Sequence, residues 1–239
     1  MKHFALIGFP LGHSLSKAYF TEKFSREGIE AEYSLLPMEK AEEILPHCSR
    51  LSGFNVTIPH KQNIMPLLAE ISEEAREVGA VNCVKVCNDG RLVGYNTDVV
   101  GIRKSLEGIK LNGTKAIVLG TGGASKAVQY VLHKGGAEVR VVSRTRGAAD
   151  LTYDDLNEEI VGESLLIVNT TPLGMFPNVE TAPELPYSAL TSAHTLFDCV
   201  YNPRQTRFLQ LGAEQGARTI DGLTMFYAQA EASWEIWKA

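Results

Sequence analysis

Two polar segments of the chain carry residue types that can move a proton. They are residues 53–61, GFNVTIPHK, and residues 94–98, GYNTD. Asn55–Ile58 alternates β-branched and polar residues, which predicts a short strand that Pro59 ends. A lysine amine just past a strand end, such as that of Lys61, can exchange a proton with a hydroxyl or a carbonyl group. The two segments therefore predict a polar site at strand ends.

Both charged residues also have a simpler interpretation. Lys61 taken alone fits a solvated loop lysine, because lysine is seldom buried. Asp98 taken alone fits a turn or an N-cap ahead of the helix that residues 99–106 predict. The rest of the chain has to separate these interpretations.

Length and composition limit the class of protein. The chain has 239 residues, 44% of them hydrophobic, and this length favours two domains. A net charge of -5 argues against nucleic acid or an anionic membrane as the main partner, and leaves small molecules. The first apolar run is too short for a signal peptide, and no 18-residue apolar stretch occurs. We therefore expect a soluble, unprocessed protein.

The cysteines give no metal-binding pattern. They form no Cys-x-x-Cys pair and have no histidine spacing typical of zinc, so we expect no metal. Unpaired cysteines of this kind are typical of a reducing, cytoplasmic compartment. The four are Cys48, Cys83, Cys87 and Cys199.

The first hundred residues alternate strand and helix patterns, which indicates an α/β domain with a mostly parallel sheet. Ser14 and Ser16 lie on the turn into the first helix, where hydroxyl and backbone N–H groups suit a carboxylate or phosphate; either serine can instead merely cap the helix. Residues 88–90, NDG, predict a hairpin that adds an antiparallel edge. The patterns predict strands at about 4–7, 32–36, 55–58, 81–86 and 91–95, and helices at about 17–27, 38–48 and 63–78.

A second unit opens with a strand, a glycine loop and a helix. The apolar strand is 115–119, and residues 120–124, GTGGA, lead into a helix that runs to about His133. The glycines let a nucleotide phosphate approach the backbone at the helix N-terminus. The next strand is predicted at 138–142 and ends in Ser143-Arg144-Thr145, where an NAD-binding protein usually has an acid. Arg144 favours the 2′-phosphate of NADP instead.

Later strands carry polar loops, and the last helix carries an apolar stripe. Strands predicted at 165–168 and 196–199 are each followed by a polar loop, at the strand ends where ligands bind in open α/β sheets. The helix predicted at about 224–237 can dock on the first domain. Gln229, beside its stripe, can reach a ligand or stay solvated. Two crossings between domains, near 98–100 and near 221, predict a hinged cleft.

Together these motifs resemble the shikimate dehydrogenase family, the NADP-dependent enzymes of the aromatic amino-acid pathway. The resemblance spans nearly the whole chain. It rests on HSLS at 13–16, NVTIPHK at 55–61, GAVN at 79–82, NTD at 96–98, GTGGA at 120–124, SRT at 143–145, NTTPLGM at 169–175, and DGL at 221–223 with Gln229.

The resemblance implies a two-domain α/β fold. An N-terminal α/β substrate domain would hold residues 1–98 and 222–239, with the C-terminal helix returning to it, and a Rossmann-like NADP-binding domain would hold 99–221. It also implies NADPH-dependent, reversible reduction of 3-dehydroshikimate to shikimate, with Lys61 and Asp98 as the catalytic pair. Its partners would be small molecules, and the enzyme a monomer or a homodimer.

The resemblance further implies two sets of binding residues. For the substrate, Ser14 and Ser16 would bind the carboxylate with Tyr201 nearby, and Thr57, Asn82, Asp98 and Gln229 would bind ring hydroxyls. For the cofactor, the pyrophosphate would lie on Gly120, Thr121, Gly122, Gly123 and Ala124, the 2′-phosphate on Ser143, Arg144 and Thr145, and the nicotinamide near Cys199 and Gly222. Glu73 matches a position sometimes assigned to the cofactor.

The residue chemistry agrees with this reaction. Oxidation of a secondary alcohol by a nicotinamide needs a hydride acceptor on the carbinol carbon and a base for the hydroxyl proton. Lys61 suits the base, while Asp98 orients the hydroxyls. A lysine cation also stabilises a developing oxyanion, so no metal is needed.

Three departures from the family pattern stand out. Lys17 replaces the usual proline and adds a positive charge near the carboxylate site. The second arginine of the 2′-phosphate motif is missing from its usual place, with Arg146 as a candidate substitute. Residues 147–164 form a short stretch with room for little helix.

Other functions stay open. A sister dehydrogenase acting on quinate or using NAD would keep Lys61 and Asp98, and a homologue that binds the same ligands without turnover would keep the binding groups. A bifunctional folate-type dehydrogenase also uses a lysine on a similar frame, but the paired serines favour a carboxylated polyol.

Overall fold

The computed structural model describes residues 1–12 and 14–239 and divides the chain into two compact units. Unit 1 comprises Met1–Thr97 and Gln229–Ala239, and unit 2 comprises Asp98–Ala228. His13, the first residue of the HSLS motif at 13–16, lies outside the described residues.

Strands and helices alternate along the chain, as the sequence pattern predicts. The strands are β1 (Lys2–Gly8), β2 (Ala31–Pro37), β3 (Gly53–Val56), β4 (Glu70–Ile71), β5 (Cys83–Val86), β6 (Leu92–Tyr95), β7 (Lys115–Leu119), β8 (Glu138–Ser143), β9 (Leu151–Thr152), β10 (Leu166–Asn169), β11 (Thr195–Asp198) and β12 (Arg218–Ile220). The α-helices are α1 (Leu15–Glu27), α2 (Glu73–Val78), α3 (Asp98–Ser105), α4 (Gly123–Lys134), α5 (Glu158–Glu163), α6 (Arg207–Glu214) and α7 (Leu223–Lys238). Short 3₁₀ segments lie at Ala41–Arg50, Met65–Leu67, Tyr153–Asp155 and Tyr187–Ala189.

The sheet of unit 1 has the order β2-β1-β3-β5-β6-β4. β1 pairs in parallel with β2 and β3, whereas β5 runs antiparallel to β3 and β6. The predicted hairpin is therefore present, but the prediction that it forms the sheet edge is wrong. The two-residue strand β4, which the sequence analysis missed, pairs in parallel with β6 and covers that edge.

Two helices predicted in unit 1 are wrong as continuous α-helices. The one at 38–48 is a 3₁₀ segment with Pro46 inside it, because proline lacks the N–H for an i→i−4 bond and clashes with the preceding turn. The one at 63–78 is broken after Met65–Leu67, which contains Pro66. A separate helix α2 then starts, with the Ser72 hydroxyl accepting from the N–H of Ala75 at 3.2 Å.

The end of α7 returns to unit 1, as predicted. The Trp237 ring stacks on Phe4 with centroids 4.7 Å apart, and its Nε1 donates to the carbonyl oxygen of Val84 at 3.0 Å. Gly53 makes room for this ring, since a Cβ there would lie 2.4 Å from the indole. Trp237 joins Phe20, Phe24, Tyr33 and Trp234 in one buried aromatic cluster.

The sheet of unit 2 is wholly parallel, with the order β12-β11-β10-β7-β8-β9. When β7 is numbered as strand 1 and the sheet is read from β9 to β12, the order is 3-2-1-4-5-6, which is that of a doubly wound dinucleotide-binding fold. The two short edge strands, β9 and β12, are not predicted from the sequence. The stretch 147–164 holds one six-residue α-helix, α5, in keeping with its length.

Candidate functional site

The register of unit 1 brings four segments to one edge of its sheet, namely the edge formed by the carboxyl ends of β1 and β3. β1 and β3 are parallel and level, with Ile7 opposite Val56, so their carboxyl ends share that edge. Asn55 opposes Cys83, and Cys83 opposes Tyr95, so β5 begins and β6 ends there too. The loop into α1 and the segments 57–61, 80–82 and 96–97 therefore meet at this edge.

Ser14 and Ser16 lie at the start of α1. Ser14 is the N-cap, and its hydroxyl oxygen accepts from the N–H of Ser16 at 3.2 Å. The capping alternative is thus present at Ser14, but it uses only the oxygen and leaves the hydroxyl hydrogen to donate. Ser16 is buried within the first turn. A helix start that carries hydroxyl groups is a suitable place for a carboxylate.

Thr57 follows β3 and packs against Gly8. Its backbone N–H donates to the carbonyl oxygen of Ile7 at 2.9 Å. A Cβ on Gly8 would lie 2.4 Å from the Thr57 methyl group and 2.8 Å from the carbonyl oxygen of Ile58, so glycine is required for this close approach. Thr57 is half-buried, and its carbonyl oxygen accepts from the N–H of His60 at 2.8 Å, so backbone hydrogen bonds hold this residue at the sheet edge.

Lys61 is anchored through its backbone. Its carbonyl oxygen accepts from the N–H of Val81 at 2.7 Å, beside Asn82. The preceding residue, His60, is buried, and its ring Nε2 lies 2.7 Å from the carbonyl oxygen of Met38. Lys61 itself is half-buried rather than fully exposed. These contacts fix the backbone from which the lysine side chain extends.

A buried hydrogen-bond network supports Asn82. Its Oδ1 accepts from the N–H of Thr97 at 2.6 Å, and its Nδ2 donates to the Thr97 hydroxyl at 3.0 Å. The Thr97 hydroxyl lies 3.1 Å from that of Ser233, which also accepts from Asn55 Nδ2 at 2.9 Å. The network joins β3, the residue before β5, the segment after β6, and α7.

No role for Asn55, Thr97 or Ser233 is predicted from the sequence. Asn55 stands in a strand whose four residues are all buried, and its Oδ1 accepts from the Tyr33 hydroxyl at 2.8 Å. A buried polar side chain must find partners, because an unpaired one costs roughly 1–3 kcal/mol. A polar residue inside a buried strand was therefore the signal that could have found this network.

Asp98 is the first residue of α3 and the first of unit 2, and it is 3% exposed. It follows Thr97 directly, so the Asn82–Thr97 hydrogen bonds hold the backbone next to it. A carboxylate in the first turn of a helix is also stabilised by the helix dipole. The N-cap interpretation placed Asp98 just ahead of this helix, whereas Asp98 is the first residue of the helix itself.

The remaining predicted substrate and cofactor residues divide between the units. Gln229 is half-buried in unit 1, and its backbone carbonyl accepts from the Ser233 hydroxyl at 2.9 Å. Tyr201 is in unit 2, with its ring 5.0 Å from that of Phe226. Glu73, an exposed residue in the first turn of α2, lies in unit 1, whereas the other predicted cofactor residues lie in unit 2.

The glycine loop of unit 2 forms an open cradle. Gly120 has φ +107, a conformation that favours glycine, and a Cβ there would lie 2.8 Å from the Thr170 hydroxyl. Gly122 is the N-cap of α4 and makes no side-chain cap, and a Cβ on it would meet nothing within 4 Å. The backbone N–H groups of this helix start are thus accessible, and the cradle fits a pyrophosphate.

Ser125 stabilises the cradle and was missed by the sequence analysis. This buried hydroxyl donates to the carbonyl oxygen of Gly120 at 2.6 Å and accepts from Gln129 Nε2 at 2.9 Å. Thr121 is exposed, and Gly123 and Ala124 are half-buried in the first turn of α4. A small polar residue right after a glycine loop was the available signal.

The loops after β10 and β11 are joined by a buried carboxylate. Asp198 accepts from Asn169 Nδ2 at 3.0 Å, from the N–H of Val200 at 2.9 Å and from the Thr206 hydroxyl at 2.6 Å. Burial raises the pKa of Asp198 to about 7, although these hydrogen bonds lower it in part. The carboxylate holds the chain on either side of Cys199.

Cys199 and Gly222 lie against each other. A Cβ on Gly222 would be 2.4 Å from the carbonyl oxygen of Cys199, so glycine is needed for this approach. The N–H of Gly222 also donates to the carbonyl oxygen of Val200 at 3.1 Å. The structure therefore brings together the two residues predicted near the nicotinamide.

The predicted 2′-phosphate residues follow β8. Ser143 is buried, and its hydroxyl accepts from the N–H of Thr145 at 3.1 Å, which turns the chain. Arg144 and Thr145 are exposed beyond that turn. Ser143 thus shapes the loop that presents Arg144.

Two further features concern the described residues only. Within residues 1–12 and 14–239, no group of three or more His, Cys, Asp or Glu side chains is arranged to hold a metal ion. Over the same residues, no helix combines the length and the apolar character needed to cross a membrane.

The sequence matches one known family in its N-terminal part and individual known proteins over nearly its whole length. Residues 6–84 match the family described as shikimate dehydrogenase substrate binding domain. A curated relative, shikimate dehydrogenase (NADP(+)) from Carboxydothermus hydrogenoformans, is 38% identical over 97% of this chain and 90% of its own length.

Solved structures give the same result. The chain is similar to a shikimate 5-dehydrogenase from Thermus thermophilus in complex with NADP(H) and shikimate, with a TM-score of 0.88, 32% identity, and coverage of 99% of this chain and 93% of that one. It is also similar to a quinate dehydrogenase from Corynebacterium glutamicum in complex with NAD, with a TM-score of 0.86, 27% identity, and coverage of 99% and 93%.

Proposed function

This chain belongs to the shikimate dehydrogenase family, and from that premise we propose that Lys61 and Asp98 carry its chemistry. It is an oxidoreductase that acts on a CH–OH group with NADP as cofactor. Its reaction is the reversible, NADPH-dependent reduction of 3-dehydroshikimate to shikimate, a step of aromatic amino-acid biosynthesis.

Lys61 transfers the proton in this proposal. In the direction of reduction its ammonium group donates a proton to the carbonyl oxygen of the substrate, and in the reverse direction its amine accepts the hydroxyl proton. The positive charge also stabilises the oxyanion as it develops. The bound cofactor supplies or accepts the hydride at the carbinol carbon. The half-burial of Lys61 and its backbone anchor to Val81 support this role.

Asp98, the second member of the pair, orients the ring together with the other substrate-binding groups. Asp98, Thr57, Asn82 and Gln229 bind hydroxyls, and Ser14 and Ser16 bind the carboxylate with Tyr201 nearby. The observation that carries the proposal is the register of the unit 1 sheet, which gathers the segments of Ser14, Thr57, Lys61 and Asn82 at one edge. Unit 1 is accordingly the substrate-binding unit.

Unit 2 is the cofactor-binding unit in this proposal. The pyrophosphate lies on Gly120–Ala124, and the nicotinamide lies near Cys199 and Gly222. The 2′-phosphate is held by the loop Ser143–Thr145. Support comes from the uncapped start of α4, the open space over Gly122 and the strand order of the sheet. The cofactor role of Glu73 has less support, because Glu73 lies in unit 1 whereas the other proposed cofactor residues lie in unit 2.

The test is a substrate and cofactor panel. Reduced nicotinamide would be followed by absorbance with shikimate or quinate as substrate, each with NADP or NAD. We expect the highest kcat/KM for shikimate with NADP. Binding of shikimate and NADP without turnover of any pair would instead indicate a non-catalytic homologue.

A second candidate is a quinate or NAD-dependent dehydrogenase. The similarity to a quinate dehydrogenase solved with NAD favours it. Lys17 favours it too, because its exposed charge follows Ser16, which is proposed to bind the substrate carboxylate, and a charge there can change the substrate preference. The same panel separates this candidate, because it requires that quinate or NAD give the higher kcat/KM. We also propose that the enzyme is cytoplasmic and acts as a monomer or a homodimer. A cytoplasmic location is supported by the four cysteines, all within the described residues, none of which is in a disulfide.

A further inference from the structure

The loop after β8 carries a second arginine, and this arginine has an acidic partner. Arg146 Nη2 donates to Asp155 Oδ1 at 3.3 Å, and the Arg146 side chain is still 76% exposed. Exposed ion pairs of this kind contribute at most about 1 kcal/mol. Arg146 can therefore exchange Asp155 for another anion at little cost.

Asp155 is held in place independently of Arg146. Its Oδ2 accepts from the backbone N–H of Thr152 at 2.8 Å and from the Thr152 hydroxyl at 2.7 Å. These hydrogen bonds, more than Arg146, lower the pKa of the Asp155 carboxyl. Its negative charge is thus a fixed feature of the 3₁₀ segment that follows β9.

The sheet places this carboxylate beside the loop that follows β8. β8 and β9 are parallel, with Ser143 opposite Thr152, so the segments after both strands emerge side by side. Gly147, with φ +81, allows the chain to turn just after Arg146. In a doubly wound sheet this strand end is where the adenosine ribose is read.

The two nicotinamide cofactors differ in charge at this place. The 2′-phosphate of NADP is an anion that arginine binds with paired hydrogen bonds, whereas the 2′-hydroxyl of NAD is neutral. A fixed carboxylate repels the phosphate and also competes with it for Arg146. It has no such effect on the hydroxyl.

We propose that Arg146 and Asp155 form a cofactor-selectivity pair, in which Arg146 is a second cation for the 2′-phosphate and Asp155 competes for it, reducing the preference for NADP over NAD. This inference rests on the proposed cofactor role of the loop Ser143–Thr145. It assigns to Asp155 an effect on selectivity that is separate from its structural bonds to Thr152.

Asp155→Asn separates the charge from those bonds. Since Oδ2 serves Thr152 and Oδ1 serves Arg146, asparagine can keep its carbonyl oxygen on Thr152 and turn its amide toward Arg146. We expect the KM for NADP to fall by about twofold to fivefold, with the KM for NAD and the Tm unchanged. Asp154→Asn, which removes an exposed charge one residue away, is the matched control and should change neither KM.

A double-mutant cycle tests the competition itself. Arg146→Met should raise the KM for NADP by about twofold to fivefold and leave that for NAD unchanged. In the Arg146→Met background, Asp155→Asn should lose most of its effect. An undiminished effect would mean that Asp155 acts without Arg146, and would overturn the proposed pair.

Binding of cofactor fragments separates this inference from the proposed function. Adenosine 2′,5′-bisphosphate and adenosine 5′-monophosphate would be titrated into the full chain by calorimetry. We expect wild type to prefer the bisphosphate, and Asp155→Asn to increase that preference. An unchanged preference would overturn the inference alone. Equal affinity of wild type for the two fragments would overturn the 2′-phosphate site of the proposed function, and the inference with it.

Discussion

The backbone N–H of Val81 donates to the carbonyl oxygen of Lys61 at 2.7 Å, and the next residue, Asn82, holds Thr97 through both ends of its side-chain amide. Asp98 follows Thr97 in the chain. One short segment, Val81–Asn82, is thereby bonded directly to Lys61 and to the residue before Asp98. This segment therefore fixes the backbone of Lys61 and the last residue of the first segment of unit 1, Thr97.

Lys61→Ala should abolish most turnover and preserve the fold. The contact with Val81 uses the Lys61 backbone, which alanine retains. Loss of a well-placed proton-transfer group lowers kcat by roughly 10²–10⁴. Steady-state kinetics with shikimate and NADP, together with a melting curve, would check this. The exposed Lys2→Ala is the control; near-normal turnover of the Lys61 variant would contradict the assignment.

Thr97→Val should weaken substrate binding through Asn82. Valine has the shape of threonine without the hydroxyl, so the buried groups of Asn82 and Ser233 each lose a partner, at a cost of about 1–3 kcal/mol. We expect the KM for shikimate to rise several-fold and the free energy of unfolding to fall. Thr97→Ser is the control, because it keeps the hydroxyl, and its KM for shikimate should equal that of wild type. Loss of stability with an unchanged KM would mean that the network does not position Asn82.

Gly120→Ala and Gly122→Ala should have different effects on stability. Gly120 has φ +107 and faces a Thr170 hydroxyl that is held at 2.6 Å from the carbonyl oxygen of Leu119, so alanine there costs about 1–2 kcal/mol or more. Gly122 has open space around it, so alanine there should change stability by less than about 1 kcal/mol.

The KM for NADP tests the role of Gly122 in binding the cofactor. A methyl group on Gly122 would occupy the space through which a pyrophosphate approaches the start of α4, so the KM for NADP should rise several-fold in the Gly122 variant while its unfolding curve stays near wild type. Denaturant unfolding and NADP titrations would give both values. An unchanged cofactor KM in that variant would place the pyrophosphate elsewhere.

Asp198 should make the stability of the protein depend on pH. Its pKa is raised by burial from 3.8 to about 7. The folded state therefore binds a proton more readily than the unfolded state, and the stabilisation is complete below about pH 4 and lost as pH rises toward 7. The size of the effect is on the order of a few kcal/mol.

Asp198→Asn removes this titration and keeps the buried contacts. Asparagine can still accept from Asn169 and Val200 on one atom and donate to the Thr206 hydroxyl with the other. Denaturant unfolding of both proteins at pH 5, 6, 7 and 8 should show the variant gaining stability relative to wild type as pH rises, with a plateau above pH 7. A difference that stays constant with pH would contradict a raised pKa.

Elements with strong local signals were predicted well. β7, α4 and β8 agree with the sequence analysis within one or two residues, because an apolar strand, a glycine loop and an amphipathic helix are each encoded by neighbouring residues. The hairpin of β5 and β6 was predicted from its Asn-Asp-Gly turn for the same reason. Local signals misled where proline stood inside a helical pattern, at Pro46 and Pro66.

Elements that depend on distant partners were missed. β4, β9 and β12 are two or three residues long, too short for any periodic pattern, and they exist because a neighbouring strand offers them a hydrogen-bonding edge. The bonds of Asn55 to Ser233 and of Arg146 to Asp155 likewise join side chains that the sequence does not mark as partners.

By itself, the sequence determined the types of residue that do the chemistry and the order of the elements that carry them. A lysine after a strand, a glycine loop between strand and helix, and an arginine at the next strand end are local patterns with a local physical cause. Tertiary structure decided which of these residues meet. Sheet register set the common edge of Ser14, Thr57, Lys61 and Asn82, and burial set the pKa of Asp198, because both depend on atoms far away in the chain.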